Sequence, residues 1–559
     1  MSIDAKASRS WRFSPTPVEW LCLLVGLILT WRYRWLMDDA FVYFRYIDNC
    51  VLHGNGLVYN VGEYVEGYSS PAWLMTLLGL RALHVDYWFA VQALGYIAAL
   101  SFWWGLCRLD REMTSGRALL NLPLMYLAAN YAVATYFTSG LETPLVQLCA
   151  LAFALYVLEP GSRWRQIAVG LAPLVRHEFA LPLLIVASWG WWRRRSFPKW
   201  MLLSAIAAVG TWEVFRIYYY ANLFPNTYYL KSTVLEGTAL VECGVTYLRE
   251  TLSTYHVYVL AAFAIAAILL VKRAAEESSS LRLEERAVFL VAAGSVAAYV
   301  VSIGGDPRHY RYLAFSFCLA TCASGGLATA VLRHCKMTSL RVSLPLGVLL
   351  LGLFSSFYPP QLSRHPFTHK EVHKRAGHIN DASLHRHKAE LQYRSWLTRS
   401  GDVASARSEQ AHEGYLPEET ATDWWCYQAF VHIDRRLVHS LGLTEPFLAM
   451  TPMETDRPAH KWGLYPLAQD LVRMYRSGIE PERGAFRQYV ASGQAPQWIR
   501  DNVERLEAVG LRAWNRHDMI ENIGLAFSRP EPIQAPQDME IRPWDDRRTM
   551  QQFVLPTPN

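Results

Sequence analysis

Two adjacent carboxylates, Asp38 and Asp39, stand at the end of the first apolar run, where a transmembrane helix would leave the bilayer. A charge near low dielectric is costly to keep, so residues placed there usually serve a function. They open a polar stretch, residues 38–72, that also carries Arg45, His53, Glu63 and Glu66. Three further short segments hold similar groups. Glu142 lies in the turn TSGLETP, Asn222, Asn226, Tyr228 and Lys231 in YYYANLFPNTYYLKS, and Asp306, Arg308, His309 and Arg311 in GGDPRHYRYL. Cations and carboxylates from separate loops, gathered at one membrane face, suit one chemistry. The cations neutralise a phosphate at headgroup depth, and a carboxylate takes the proton of an acceptor hydroxyl.

Each feature also has a plainer reading. A lone acid at a helix end is a common solvated boundary marker, and the Gly54-Asn55-Gly56 and Gly304-Gly305 stretches read as turns. Arg176-His177-Glu178 reads equally as a buried ion pair holding a broken helix or as a functional group. The pair Asp38–Asp39 is less ordinary, because the aromatic stretch Phe41, Val42, Tyr43, Phe44 and Tyr46 follows it. That stretch is expected to lie in the interface plane and hold the carboxylates at headgroup depth.

The elements that position these residues follow from hydropathy. The chain has 559 residues, and its mean hydropathy of +0.07 averages two unlike regions. Residues 1–357 form a succession of apolar segments, with a first outer loop at 38–71, and residues 358–559 are polar, with no run long enough to cross a bilayer. Spans of roughly 20 apolar residues give about ten to twelve membrane helices, among them 18–37, 88–107, 118–137, 144–158, 201–220, 257–271, 287–303, 313–332 and 344–357. The expected fold is an all-α polytopic membrane domain followed by a mixed α/β soluble domain.

Basic loops fix the orientation. Arg193-Arg194-Arg195 with Lys199, Lys272-Arg273, and Arg333 with Lys336 and Arg341 belong in the cytoplasm. The loops beginning at Asp38, Asn222 and Gly304 then face outward, and so does the tail. Ionisable groups cluster at outer helix ends, and no internal repeat is evident, which speaks against the alternative of a transporter. No G-x-G-x-x-G or P-loop follows a strand, so a sugar donor, if sugar transfer is the reaction, is lipid-linked. The net charge of +6 is dispersed over many loops and leaves no footprint of nucleic-acid binding. Of nine cysteines, Cys50, Cys243 and Cys426 would face the oxidising side, where one disulfide is conceivable.

Motifs along some 430 residues then converge. DDAFVYFRY (38–46), HGNGLVYNVGEYVEGYSSPAWL (53–74), TSGLETPL (138–145), LVRHEFALPL (174–183), YYYANLFPNTYYLKS (218–232) and GGDPRHYRYL (304–313) follow one another in order. In the tail come HIDRRLVHSLGLTEPFLA (432–449) and RPAHKWG (457–463). The ensemble resembles the GT-C superfamily of polyprenyl-phosphate-sugar glycosyltransferases. Within it, the chain looks like the terminal arabinofuranosyltransferases of actinobacterial cell walls and the pilin arabinosyltransferases. It departs from them at His177, where the family has proline, and at PRHYR after Asp306.

The resemblance implies a multi-pass protein of the bacterial inner membrane whose C-terminal domain is extracytoplasmic. It implies transfer of D-arabinofuranose from a polyprenyl phosphate to a hydroxyl of an extracytoplasmic glycan or protein. Asp38 would be the general base, and Asp39 would orient it or hold a metal ion. Arg45, Lys231, Arg308, His309 and Arg311 would bind the donor phosphate. Glu66, Tyr68, Glu142, Asn226, Asp306 and His460 would contact sugar or acceptor. No cofactor is required, although the paired oxygens of Asp38 and Asp39 would suit Mg²⁺ or Ca²⁺.

Overall fold

A computed structural model describes residues 15–37, 39–116, 119–232, 238–274, 281–306 and 310–334, and also 343, 346–350 and 353. In the tail it describes 421–423, 426–431, 433, 436–439, 442–452, 464–482, 484–515, 517–528 and 531–536. The N-terminal part is a helical bundle. Its central member, Thr143–Leu158, packs against Tyr87–Met113, Ala314–Cys322 and Leu283–Ser302. Local signals set the helix starts. Thr16 forms a capping box with Glu19 ahead of Pro17–Arg32, and Asp86 accepts from the Trp88 amide ahead of Tyr87–Met113.

Among the described residues, four helices are long and apolar enough to cross a bilayer: Tyr87–Met113, Lys199–Tyr220, Leu283–Ser302 and Arg311–Arg333. The pair Leu240–Thr254 and Val257–Lys272, bent by 70°, is apolar enough only when taken together, as a broken span or a re-entrant loop. These apolar helices fit a helical membrane domain, and among the described residues full-length ones are fewer than hydropathy alone predicts. The run 118–137 shows why. It forms two short buried helices, Leu122–Ala128 and Tyr131–Tyr136, because the Asn130 side chain accepts the Ala132 amide at 3.0 Å and restarts the helix.

The aromatic stretch after Asp39 also departs from expectation. It forms the helix Ala40–Val51, and residues 40–49 are buried inside the protein rather than lying in the interface plane. The reason is the tail. Helix Cys426–Val431 covers this helix, with Phe430 against Phe41, Phe44 and Tyr87.

The described tail consists of short helices and one parallel strand pair, Ala421–Asp423 with Leu437–His439. It packs on the first loop and on the end of Lys199–Tyr220. Asn60 acts as a surrogate strand partner, donating to the Leu437 carbonyl at 2.9 Å and accepting its amide at 3.0 Å. Val65 of the loop is buried within the tail's own core. Cys50, Cys243 and Cys426 are unbridged.

Candidate active site

The turn before Thr143–Leu158 is seated directly on the start of Ala40–Val51. Gly140 has φ +82, and a Cβ there would come within 2.7 Å of the Ala40 Cβ, so only glycine allows this approach. The Ser139 carbonyl accepts the Met37 amide at 2.8 Å, and the Gly140 carbonyl accepts the Trp73 indole at 2.8 Å. Glu142, fully buried, is thereby fixed close to Asp39.

Two arginines meet these carboxylates. Arg176 occupies an extended residue between the helix Ala172–Val175 and the 3₁₀ turn His177–Phe179. It donates to Glu142 at 2.8 Å and to Glu178. Arg311 opens another 3₁₀ turn, Arg311–Leu313, directly after Tyr310, whose φ of 65 is unfavourable for a bulky residue. The Tyr310 hydroxyl, held by Gln147 at 3.1 Å and near the Cys318 sulfur at 3.2 Å, locks that backbone. Arg311 therefore reaches both Asp39, at 3.1 Å, and Glu142, at 3.5 Å.

Tyr312 collects the cations. Arg176 lies 4.5 Å, Lys231 4.6 Å and Arg311 5.5 Å from its ring centroid, and the Lys231 ammonium donates to its hydroxyl at 2.5 Å. Burial would raise the Glu142 carboxyl, but Arg311 and Arg176 outweigh it and hold the group below its ordinary value. Within this cluster, Arg311 Nε, Glu142 Oε2 and Glu178 Oε2 are buried without a hydrogen-bond partner. Polar atoms left open in such a place favour a polar ligand. Tyr43 has Glu142 and Arg311 as charged neighbours, and Asp306 is an electrostatic neighbour of Arg311.

The tail adds one residue. His439, buried at the end of its strand, has Asp39 as its charged neighbour, and burial pushes the imidazole down to about 4. Its Nε2 lies 3.7 Å from the Cys426 sulfur.

Over 349 residues the chain is 28% identical to a protein of Mycobacterium tuberculosis, covering 54% of each. That protein is named terminal β-(1→2)-arabinofuranosyltransferase. A protein of the same name from Corynebacterium glutamicum is 26% identical over 347 residues, covering 51% of this chain and 46% of that one. The chain resembles the actinobacterial arabinofuranosyltransferases. It spans about half the length of these relatives. No family model matches, and no solved structure does.

Of the residues singled out by sequence, Asp39, Glu142, Lys231, Asp306 and Arg311 come together. Asp38, Arg308, His309 and His460 lie outside the described residues. Four others are placed elsewhere. Arg45, expected at the donor phosphate, is wholly buried and donates to the Tyr59 carbonyl at 2.6 Å and to the Ala429 carbonyl of the tail. Asn226 donates to the Gly442 and Leu443 carbonyls at 2.9 and 3.0 Å. Both fasten the tail to the membrane domain. Glu66 accepts from Arg216 at 2.5 Å and from Trp212 at 3.3 Å, and the Tyr68 hydroxyl meets that of Tyr220 at 2.8 Å. Their polar atoms are engaged by the helix Lys199–Tyr220 rather than turned to the cluster.

Sequence reasoning did not assign chemistry to Tyr43, Tyr312 or His439, and left Arg176 undecided. An aromatic near a helix end looks like an interfacial anchor until its neighbours are known. Only the Arg-His-Glu interruption of an apolar run signalled Arg176.

Proposed function

We propose that the protein is a membrane glycosyltransferase that moves D-arabinofuranose from a polyprenyl-phosphate carrier to a hydroxyl of an extracytoplasmic glycan or glycoprotein. The observation that carries this reading is the convergence of Arg311, Lys231 and Arg176 on Tyr312, beside Asp39 and Glu142. Likeness to proteins named arabinofuranosyltransferase supports it. The tail packs on the first loop and the end of Lys199–Tyr220, which agrees with an outer face shared by tail and site.

In this mechanism the acceptor hydroxyl gives its proton to Asp38 while its oxygen attacks the anomeric carbon. The bond from that carbon to the phosphate oxygen breaks, and its electron pair leaves with the polyprenyl phosphate. Arg311 and Lys231 neutralise the departing charge, as oriented donors do most effectively in a dry site. One displacement inverts the anomeric centre. Asp39, one oxygen of which is already engaged by Arg311, orients the base.

A divalent ion would be held by the oxygens of Asp38 and Asp39, and one oxygen of Asp39 already meets Arg311. Among the described residues no group of three His, Cys, Asp or Glu side chains is placed to hold a metal. No step above runs through a metal.

The test is reconstitution of the full chain in proteoliposomes with synthetic polyprenyl-phosphoryl arabinofuranose and an arabinan acceptor. A new glycosidic product of inverted configuration is expected. Translocation of the lipid-linked sugar without product would overturn the reading in favour of a transporter.

A further inference from the structure

The tail ends its described helices with Met519–Phe527, a nine-residue helix held against the membrane-spanning helix Lys199–Tyr220. Asp518 caps it by accepting the Ile520 and Glu521 amides, each at 2.9 Å, so this short segment has its own start signal. Its inner face is fastened by polar contacts. The Asn522 side chain donates to the Tyr218 carbonyl at 2.7 Å, and Asn515, just upstream, donates to the Tyr219 carbonyl at 3.2 Å. Both carbonyls belong to the last turn of the spanning helix. Ala526, one turn beyond Asn522, completes this buried face.

The face beside it is apolar and uncovered. Ile520 is 85%, Ile523 41% and Phe527 68% exposed, and the spacing of three and four residues puts them on one stripe. Exposing three large apolar side chains together on a short capped helix is unfavourable in water. The spanning helix it touches has the same character, with Leu203, Ile206, Val214 and Tyr218 exposed along its length. Little of that helix is covered by protein, so its surface is one that lipid would cover. The stripe on Met519–Phe527 therefore continues, past a hydrogen-bonded junction at Tyr218 and Tyr219, an apolar surface made for acyl chains.

We propose that Met519–Phe527 is an interfacial helix that seats the C-terminal domain in the outer leaflet of the bilayer, through Ile520, Ile523 and Phe527. At nine residues it is too short to span and long enough to lie in the headgroup–acyl boundary. The tail is then held at a fixed height over the lipid surface from which a lipid-linked substrate would arrive. This inference needs the membrane character of Lys199–Tyr220 and an outward-facing Tyr220 end, and stands whether or not sugar transfer is the reaction.

The experiment places a nitroxide label at Ile523→Cys in the full chain, in nanodiscs of phosphatidylethanolamine and phosphatidylglycerol. Cys50→Ser removes the partly exposed thiol among the described residues, and Cys335→Ser removes the ninth cysteine, which lies outside them. Labels at Ile206→Cys, on the spanning helix, and at Gln494→Cys, on an exposed loop of the tail, are the references. The account expects the Ile523 label to resemble the Ile206 label, with collisions with oxygen favoured several-fold over collisions with a water-soluble nickel chelate. A nickel accessibility equal to that at Gln494 would overturn it. So would a label immobilised and shielded from both reagents, which would mean that protein covers this face. The label at Phe527→Cys repeats the test if the first variant is poorly expressed, since that side chain is the more exposed of the two.

Discussion

At the scale of single residues, the site is a balance of charges rather than a bare basic patch. Arg176 is committed to Glu142 and Glu178 and holds the fold of the cluster. Arg311 is shared between Asp39 and Glu142 with its Nε left open, and Lys231 is tethered only to the Tyr312 hydroxyl among its described contacts. The last two are therefore the cations available to a phosphate. Arg311→Lys keeps the charge and loses the planar fork, and should raise the KM for a lipid-phosphate donor by roughly ten- to hundredfold, the worth of a charge-assisted hydrogen bond. Lys231→Met should act in the same direction while leaving thermal stability unchanged. Steady-state kinetics with donor varied, beside a melting curve, checks both.

What the sequence revealed at this scale was the gathering of loops, since Asp39, Glu142, Lys231 and Arg311 do meet. It could not reveal how a cation spends its donors. Arg45 and Arg311 look alike in a string of letters. One is filled by backbone carbonyls, and the other keeps an open nitrogen beside two carboxylates.

At the scale of elements, breaks and turns build the site more than long helices do. The 3₁₀ turns at His177–Phe179 and Arg311–Leu313 each follow a non-helical residue and aim an arginine inward. The turn at Gly140 brings Glu142 down on Ala40–Val51. Gly140→Ala meets both a positive φ and the Ala40 Cβ, and should lower stability by about 1–3 kcal/mol and reduce activity with it, as overpacking does. Thermal unfolding in detergent reads the first effect, and transfer assays read the second. Hydropathy located most of these elements but not their lengths. A single asparagine, Asn130, divides one apolar run into two buried helices, and a polar cap of that kind does not register in an averaged window.

At the scale of the whole molecule, the tail is built into the membrane domain. Arg436 bridges Glu63 of the first loop and Glu480 of the tail, at 2.7 Å from the latter, and packs over Tyr475. Glu445 is buried beside them, and burial together with the like charge of Glu63 raises it to about 8, against the pull of Arg436. A carboxyl raised in this way binds its proton more tightly in the docked state. Its contribution is thus greatest in acid and declines as pH rises from about 4.5 through about 8. Docking should accordingly weaken over that window, and Glu445→Gln should flatten the dependence. Limited proteolysis of the tail across pH 5 to 9 measures it.

The central claim is that a carboxylate base and a cation cluster on one face transfer a sugar from a lipid phosphate. Product formation by the reconstituted full chain carrying Asp38→Asn, with synthetic polyprenyl-phosphoryl arabinofuranose, tests it most directly. The account predicts that transfer is abolished while expression and donor binding persist; undiminished transfer by Asp38→Asn would contradict it.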